Sequence, residues 1–247
     1  MSDDPSPPEL APSVLAAWGL REPPARGPRP TLSVTRIAEA AVAVADAEGV
    51  AAVSMGRIAA ELQVSPMSLY RYVKAKGELL ALMVDAAVGA PPTDDASTGW
   101  RPALSAWAWA YHDSLRRRPW VLQVPMTGPP VTPNQTAWLE RGLRGLAATP
   151  LTEPQKLSVM LLLSGFIRNE ATLTAEMGAE AGGDIMPGWA AALRRLTTPE
   201  GFPALHAALA SEAFAQDDDP DDEFIFGLRR LLDGVEALVE GNDEAAG

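Results

Sequence analysis

The chain has 247 residues, of which 47% are hydrophobic, with no cysteine, two histidines and a formal net charge of -12 at pH 7. It is long enough to bury one large or two modest cores, and the lack of cysteine excludes disulfides, thiolate nucleophiles and cysteine–zinc sites. No apolar run reaches the roughly 20 residues that a bilayer-spanning helix needs, and the N-terminus lacks signal-peptide features. We therefore expect a cytoplasmic protein that has no membrane partner.

Charge is unevenly distributed along the chain. Residues 26–76 contain seven Lys and Arg against four Asp and Glu, whereas residues 77–247 contain 12 against 24. A basic segment joined to an acidic remainder indicates an anionic partner for the basic part. Chance clustering of charges on a solvated face is the alternative.

Proline is concentrated in residues 1–30, which predicts a disordered tail there. Within this tail, the stretch SVLAAWGL is compatible with a docked helical turn. Arg26 and Arg29 in the following ARGPRP are compatible with contacts in a DNA minor groove. A solvated linker is the preferred interpretation of both stretches.

The segment that follows has helical periodicity. Apolar residues at three- and four-residue spacing predict a helix over 33–48. Ser54 is a natural N-cap for a second helix, and Ser65 for a third that begins with Pro66. Two short helices separated by about three residues are typical of the helix-turn-helix, whose second helix enters the DNA major groove. We therefore expect a DNA-binding domain over residues 31–77.

Side chains suited to DNA are concentrated in and after the third of these helices. Once the apolar Leu69 and Val73 face inward, the polar and charged side chains around them point outward. Tyr72 is then able to divide its ring and hydroxyl between core and DNA. Base edges are the expected targets of Pro66, Met67, Ser68 and Arg71, and phosphates those of Tyr70, Tyr72, Lys74 and Lys76, while Ser54 and Arg57 of the second helix complete the contact set.

The runs AEGVAAVSMGRIAAEL and VSPMSLYRYVKAKGELL resemble the N-terminal DNA-binding domain of the tetracycline-repressor (TetR) family. The shared features are a helix that ends in Gly, a capped short helix, then Val-Ser, Leu-Tyr, an aromatic residue and a later Lys. The close resemblance covers about residues 32–83, a fifth of the chain. It implies DNA-contacting positions for Ser68, Tyr70, Tyr72 and Lys76, and a more variable, sequence-reading position for Arg71.

Two residues depart from the family pattern. Gln63 stands where the turn usually has Gly, and a positive φ at this position would cost a non-Gly residue on the order of 1 kcal/mol. Gly56 replaces a polar or basic residue, which removes one expected DNA contact and leaves the operator sequence open.

The remainder predicts a helical body over residues 78–247. The middle of its longest helix, residues 160–167, is apolar nearly all round, so it must be covered by its own domain, a ligand or a second subunit. The helices are expected near 77–88, 99–117, 132–147, 152–177, 188–196, 203–214 and 223–240.

By resemblance, the long helix and the last helix pair with their copies in a four-helix bundle that forms a homodimer, with Leu231 and Val235 in the interface. Two recognition helices about 34 Å apart would then read a palindromic operator. The middle helices of the family enclose a pocket for a small-molecule inducer, which we expect here to be hydrophobic. The candidate lining residues are Trp107, Tyr111, Met126, Trp138, Met160, Phe166 and Asn169, for which simple core packing is the alternative.

Nothing in the sequence indicates an active site. His112 beside Asp113 lacks an accompanying nucleophile motif, and the acidic run 216–224 lacks the ligand alternation and Gly of a calcium loop. We therefore expect no catalytic residue, metal or cofactor. The prediction is an all-α, two-domain, ligand-responsive transcriptional regulator that acts as a repressor. The alternatives are a helical enzyme or carrier that retains the three-helix DNA-binding head (residues 31–77), and a ligand-independent architectural DNA-binding protein.

Overall fold

The computed structural model describes residues 10–20, 32–93, 99–126, 128–180, 185–211 and 221–246. Regular structure in these ranges is entirely helical, which confirms the predicted all-α class. Across the same ranges, no helix is long and apolar enough to cross a bilayer. Two 3₁₀ helices are Val50–Ala52 and Pro119–Gln123, and the α-helices are α1 (Pro12–Ala17), α2 (Val34–Glu48), α3 (Met55–Glu61), α4 (Pro66–Tyr70), α5 (Lys76–Val88), α6 (Trp100–Arg116), α7 (Pro133–Gly145), α8 (Glu153–Glu180), α9 (Ile185–Leu196), α10 (Pro203–Leu209) and α11 (Asp222–Ala246).

The helix-turn-helix expected from the sequence is present as α3 and α4. The preceding α2 starts after Ser33, whose hydroxyl accepts a hydrogen bond from the Arg36 N–H (3.1 Å), and it stops at Gly49, where φ is 83°. α3 starts after Ser54, whose hydroxyl accepts from the Arg57 N–H (3.2 Å). Each serine satisfies a first-turn N–H that has no intrahelical partner, so both helix starts are fixed by local chemistry.

The turn between α3 and α4 places a non-glycine residue in the left-handed region. Gln63 has a φ of 55°. Its N–H donates to the Ala60 carbonyl (3.1 Å), and the N–H of Val64 donates to the Ala59 carbonyl (2.9 Å), which together form a Schellman C-cap. Because this cap requires the left-handed conformation, the direction in which α4 leaves the turn is set at the expense of strain at Gln63.

Replacing Gln63 by glycine should stabilise the protein by roughly 0.5 to 1 kcal/mol. Glycine has no Cβ to clash in the left-handed region, and this gain exceeds the conformational entropy that it adds to the unfolded chain. The midpoint temperature of thermal denaturation should then rise by about 1 to 4 °C. Ala60→Gly is the matched control, because it places the same residue on right-handed helix backbone and should destabilise by about 1 kcal/mol. Shifts of the same sign in the two variants would contradict strain at Gln63.

Residues 10–20 correct the expectation of a disordered tail. They form α1, which has Pro12 at its first position, where proline is well tolerated. The helix ends in a second Schellman C-cap, in which Gly19 has a φ of 68° and the Leu20 N–H donates to the Leu15 carbonyl (2.9 Å). Proline content favoured a linker here, but proline and glycine stand at the two positions where a short helix uses them.

Tertiary contact also holds α1 in place. The helix packs against α2 and α5, where Ser13 is fully buried and Val14 is 8% exposed. Burial against the rest of the protein therefore supplies the stability that a helix of this length lacks alone. The remainder of the predicted tail, residues 1–9 and 21–31 with Arg26 and Arg29, lies outside the described residues.

One hydrophobic core runs through the DNA-binding part and the body. Fully buried members extend from Ile37 in α2 through Met83 in α5 to Leu104 in α6 and Leu163 in α8. α5 packs against both α2 of the DNA-binding part and α7 of the body. The domain boundary predicted between residues 77 and 78 therefore falls in the first turn of a helix that both parts share.

Candidate nucleic-acid interface and body core

The short helix α4 is held from below and presents its other side to solvent. Leu69 and the following Val73 are fully buried, and the N–H groups of Tyr72 and Val73 both donate to the Leu69 carbonyl (2.8 and 3.0 Å). Met67 is 75% exposed and Tyr70 is 46% exposed. The inward and outward faces are therefore those expected from the sequence.

Most of the predicted DNA-contact residues lie together on this outer surface. Ser68 and Tyr72 are half-buried, and Tyr72 packs against the core, which leaves its hydroxyl end for another contact. The cations on it are Arg71, Lys74 and Lys76, and none of them forms an ion pair with another described residue. We call it the α4 surface, and its exposed members are Pro66, Met67, Tyr70, Arg71, Lys74 and Lys76.

Ser65 departs from its expected role. Its hydroxyl does not cap α4 but lies 2.9 Å from the hydroxyl of Ser68. Pro66 at the first helical position needs no N–H partner, which lowers the need for a side-chain cap. The Ser65–Ser68 pair instead fixes the orientation of a residue on the α4 surface.

Arg57 is engaged within the protein. Its Nη2 and Nε lie 2.6 and 3.0 Å from Oε1 of Glu48, and its Nη1 lies 2.9 Å from Oε2 of Glu61. The hydrogen bonds that Arg57 donates to Glu48 and then to Glu61 raise the pKa of Arg57, and the bond from Arg57 lowers the pKa of Glu48. Ser54 uses its hydroxyl on the Arg57 N–H. Arg57 therefore holds α3 against the end of α2, and Ser54 caps the start of α3.

A second exposed surface lies on the two longest helices of the body. On α8, Leu161, Gly165, Asn169 and Leu173 are all exposed and recur every four residues; we call them the α8 stripe. Leu161 is 73% exposed, which is high for a leucine in the middle of a helix. Asn169 was expected in a ligand pocket but lies on this outer stripe.

α11 carries a matching row. Phe226, Arg230, Gly234 and Leu238 are exposed at the same four-residue spacing and form the α11 stripe. Phe226 is 64% exposed, and the Arg230 guanidinium lies 5.9 Å from the centre of its ring. Rows at this spacing are the ridges that interlock when helices pack.

The two interface residues expected on α11 differ in their burial within the chain. Val235 is 3% exposed and packs, with Leu228 and Leu232, in the core of the same protomer, and Leu231 is half-buried against it. Val235 is therefore not available to an interface between protomers, whereas the place of Leu231 in such an interface stays a prediction. Because α11 is apolar on more than one side, periodicity alone did not distinguish the two faces.

Four of the seven predicted pocket residues form a closed cluster between α6, α7 and α8. Trp107 stacks on Tyr111 with ring centres 5.4 Å apart, and Trp138 lies 6.2 and 5.3 Å from these two rings. Trp107 Nε1 donates to the Trp138 carbonyl (2.9 Å). Met160, 2% exposed, lies so close that a Cβ added at Gly142 would come within 2.1 Å of its Cε. These side chains are packed core.

The other three do not join that cluster. Met126 is 71% exposed after the 3₁₀ helix Pro119–Gln123. Phe166 stacks on Phe224 of α11 with ring centres 5.7 Å apart, and Asn169 is on the α8 stripe. The sequence could not separate these positions, because aromatic and Met residues at helical spacing line a core or a cavity equally well.

A cavity of about 130 Å³ lies instead between α6, the 3₁₀ helix Pro119–Gln123 and α8. Its neighbour is a buried polar chain in which His112 Nε2 lies 2.7 Å from Oε2 of Glu170 and Thr174 donates to Oε1 (2.9 Å). His112 Nδ1 is buried and has no hydrogen-bond partner. His112 and Glu170 are 58 residues apart, so no sequence motif indicates this contact. The cavity is lined by Leu115, Arg116, Pro119, Leu122, Ala171, Thr174 and Ala175.

The same 3₁₀ helix connects the body to α2. Asp46 accepts from Arg118 Nε (3.0 Å) and from Trp120 Nε1 (2.7 Å), and Arg118 Nη1 donates to the Ala87 carbonyl of α5 (3.1 Å). A cleft of about 320 Å³ between α2, α5 and Arg118 adjoins this connection. A displacement of the 3₁₀ helix would therefore be felt both at the cavity and at α2.

Comparison with known proteins agrees with this arrangement. The family described as "Bacterial regulatory proteins, tetR family" matches residues 37–83, and "Tetracyclin repressor-like, C-terminal domain" matches residues 91–239. The HTH-type transcriptional repressor DrrR1 of Streptomyces coeruleorubidus is 38% identical over 240 residues, which cover 94% of this chain and 87% of that protein.

Two solved structures of ActR from Streptomyces coelicolor have the same fold. The complex with actinorhodin has a TM-score of 0.73 at 25% identity over 86% of this chain and 99% of that chain. The complex with (S)-DNPA has a TM-score of 0.66 at 26% identity over 82% and 96%. With two family matches that together span the head and the body, the chain belongs to the tetracycline-repressor (TetR) family and is a DNA-binding transcriptional repressor.

Proposed function

We propose that the protein is a homodimer that binds a palindromic operator through the α4 surface and leaves it when a hydrophobic small molecule binds the body. The observation that carries the DNA-binding part is the α4 surface itself, where Arg71, Lys74 and Lys76 are exposed and unpaired among the described residues. The protein as a whole has a formal net charge of -12, so a local cluster of exposed cations indicates an anionic partner at this surface. Because its target is DNA, we place its action in the cytoplasm.

In this proposal the members of the α4 surface have two roles. Met67 and Arg71, with Pro66 and Ser68, face base edges, where a methionine contacts thymine methyl groups and an arginine pairs with guanine. Tyr70, Tyr72, Lys74 and Lys76 contact phosphates, which fix orientation without reading sequence. Arg57 and Ser54 support the fold of this surface rather than its contacts.

Arg71→Ala should relax the preference for one or two base pairs and lose about 1 to 3 kcal/mol on the best site, because a bidentate base contact disappears. Lys76→Ala should weaken binding to all sequences alike and make the salt dependence shallower by about one phosphate contact. Fluorescence anisotropy on a duplex selected by the wild type and on a random duplex measures both effects.

Arg195→Ala is the control, because it removes one exposed cation from α9 in the body and should leave both affinities unchanged. Equal losses on selected and random DNA for Arg71→Ala would show that Arg71 contacts phosphate and not bases.

The dimer part of the proposal is supported by the α8 and α11 stripes. Both rows have i, i+4 spacing, so the ridges of one protomer fit the grooves of another. Gly165 and Gly234 have no atom near the place of a Cβ, which leaves room for a second helix. A twofold dimer presents two α4 surfaces to two half-sites of one operator.

The ligand part of the proposal is supported by the apolar cavity beside the 3₁₀ helix and by the ActR complexes. Its volume is below the roughly 300 Å³ at which small-molecule pockets begin, so the helices around it must separate to admit a ligand. We expect a planar, mostly apolar molecule with a few polar groups. Thr174 in the cavity lining supplies a hydroxyl for one such group. Separation at the 3₁₀ helix would pull on Asp46 and so reach α2.

Selection of bound DNA from a genome, followed by anisotropy on the best duplex, tests the proposal as a whole. Actinorhodin serves as the first probe of release, since ActR binds it. We expect the complex to dissociate as actinorhodin is added and the free protein to gain thermal stability. If the selected DNA is bound but molecules of this class neither release it nor stabilise the protein, the ligand class is wrong and the DNA-binding proposal stands.

A further inference from the structure

The helix α1 makes a specific contact next to the α4 surface. The hydroxyl of Ser13 donates to Oε2 of Glu78 at 2.7 Å. The pair is 65 residues apart in sequence, and Ser13 is fully buried. The match to the DNA-binding family begins at residue 37, so α1 lies before the part of the chain that the family describes.

Glu78 connects this contact to the DNA-contacting turn. Its Oε2 also accepts from the backbone N–H of Lys74 at 3.2 Å. Glu78 is in the first turn of α5, and the N-cap residue of that helix, Ala75, has no side chain able to cap it. The carboxylate therefore fixes the backbone between α4 and α5, and with it the directions of Lys74 and Lys76.

The other end of α1 is attached to the body. Trp18 Nε1 donates to the Val131 carbonyl at 2.8 Å, just before α7. The C-cap at Gly19 ends the helix directly after Trp18, and the bond to Val131 holds the indole. α1 is thus held at one end by the body and at the other by the turn that carries the phosphate contacts.

We infer that α1 is part of the DNA-binding site, with Ser13 and Glu78 as positioning residues that direct Lys74 and Lys76 toward phosphates. The inference rests on the proposed phosphate contacts. A hydrogen bond from Ser13 orients the carboxylate, the carboxylate holds the Lys74 N–H, and the backbone that carries both lysines is thereby restricted before DNA arrives. Such restriction lowers the entropy that binding must remove.

Ser13→Ala tests the inference in the full-length protein. It should weaken binding about three- to tenfold on both the selected and a random duplex, since the bond to a carboxylate is lost. The slope of log affinity against log salt should become shallower, by up to about 0.9 for each phosphate contact that is loosened. Glu78→Ala should have the same effects, and Glu78→Gln, which keeps an acceptor oxygen, should recover much of the affinity.

Ser114→Ala is the matched control, because it removes a fully buried serine hydroxyl that bonds only within α6, to the Tyr111 carbonyl. A role of α1 in stability alone would lower the melting temperature of Ser13→Ala and leave its salt slope at the wild-type value, which would overturn the inference. If the wild type selects no DNA, the proposed function itself fails. If it does and Ser13→Ala binds like the wild type, only the role of α1 is wrong.

Discussion

The double variant Leu161→Asp, Phe226→Asp is expected to be a folded monomer that has lost at least about a hundredfold in operator affinity. Each side chain is largely exposed in the protomer, at 73% and 64%, so an aspartate costs little before association. In the proposed dimer the same carboxylates would be buried without partners, which strongly destabilises the interface. A monomer has only one α4 surface. It therefore loses the gain in affinity that comes from binding two half-sites at once, which is on the order of 10²- to 10⁴-fold. Sedimentation equilibrium and anisotropy measure the two effects.

Two controls separate this interface from other apolar surface. Leu196→Asp changes a leucine of α9 that is 77% exposed and should leave the dimer intact. Val235→Asp should unfold the protomer, because Val235 is inside its own core. A double variant that sediments as a stable folded dimer would place the interface elsewhere than on the α8 and α11 stripes.

Trp138→Ala should destabilise the protein by about 3 to 5 kcal/mol, the usual cost of truncating a buried tryptophan. Trp138 is 4% exposed, its rim contacts Trp107 and Tyr111, and its Nε1 donates to the Gly89 carbonyl at 2.9 Å. Removal leaves a cavity and an unpaired carbonyl at the end of α5. The midpoint temperature of thermal denaturation should fall by about 10 °C. Operator binding should be lost at the temperatures where the variant unfolds.

Trp138→Phe is the matched variant. It keeps an aromatic ring in the cluster and loses mainly the N–H, so it should cost about 1 to 2 kcal/mol. An alanine variant that melts near the wild type yet no longer responds to ligand would contradict core packing and restore Trp138 as a pocket residue.

The DNA-binding head could be predicted closely because its signals are local. Ser33 and Ser54 cap the N–H groups of residues three positions later, and Leu69 and Val73 are the inward residues of a short helix. At Gln63, where the cost of a positive φ was considered from the sequence, φ is indeed positive. These features depend on a few neighbouring residues, which a sequence displays in order.

Features that depend on distant partners could not be predicted. From the sequence, Arg57 is expected to be a solvent-facing cation. Only the fold brings Glu48, nine residues away, into contact with its guanidinium. The helix α1 depends on a contact with Glu78 across 65 residues. On α11, both faces are apolar enough to be buried, so only packing shows that Val235 is internal and Phe226 external.

The continuous core has a consequence for protein engineering. A chimeric regulator made by joining the head of this protein to the body of a relative at residue 77 would cut between Leu79 and Met83 of α5 and their partners on α2, such as Ile37. The reading head is therefore not an interchangeable module that ends where the helix-turn-helix ends. A working chimera has to take α2 and α5 from the same protein. It also has to preserve the Arg118–Asp46 contact, which crosses the new junction between the DNA-binding part and the body.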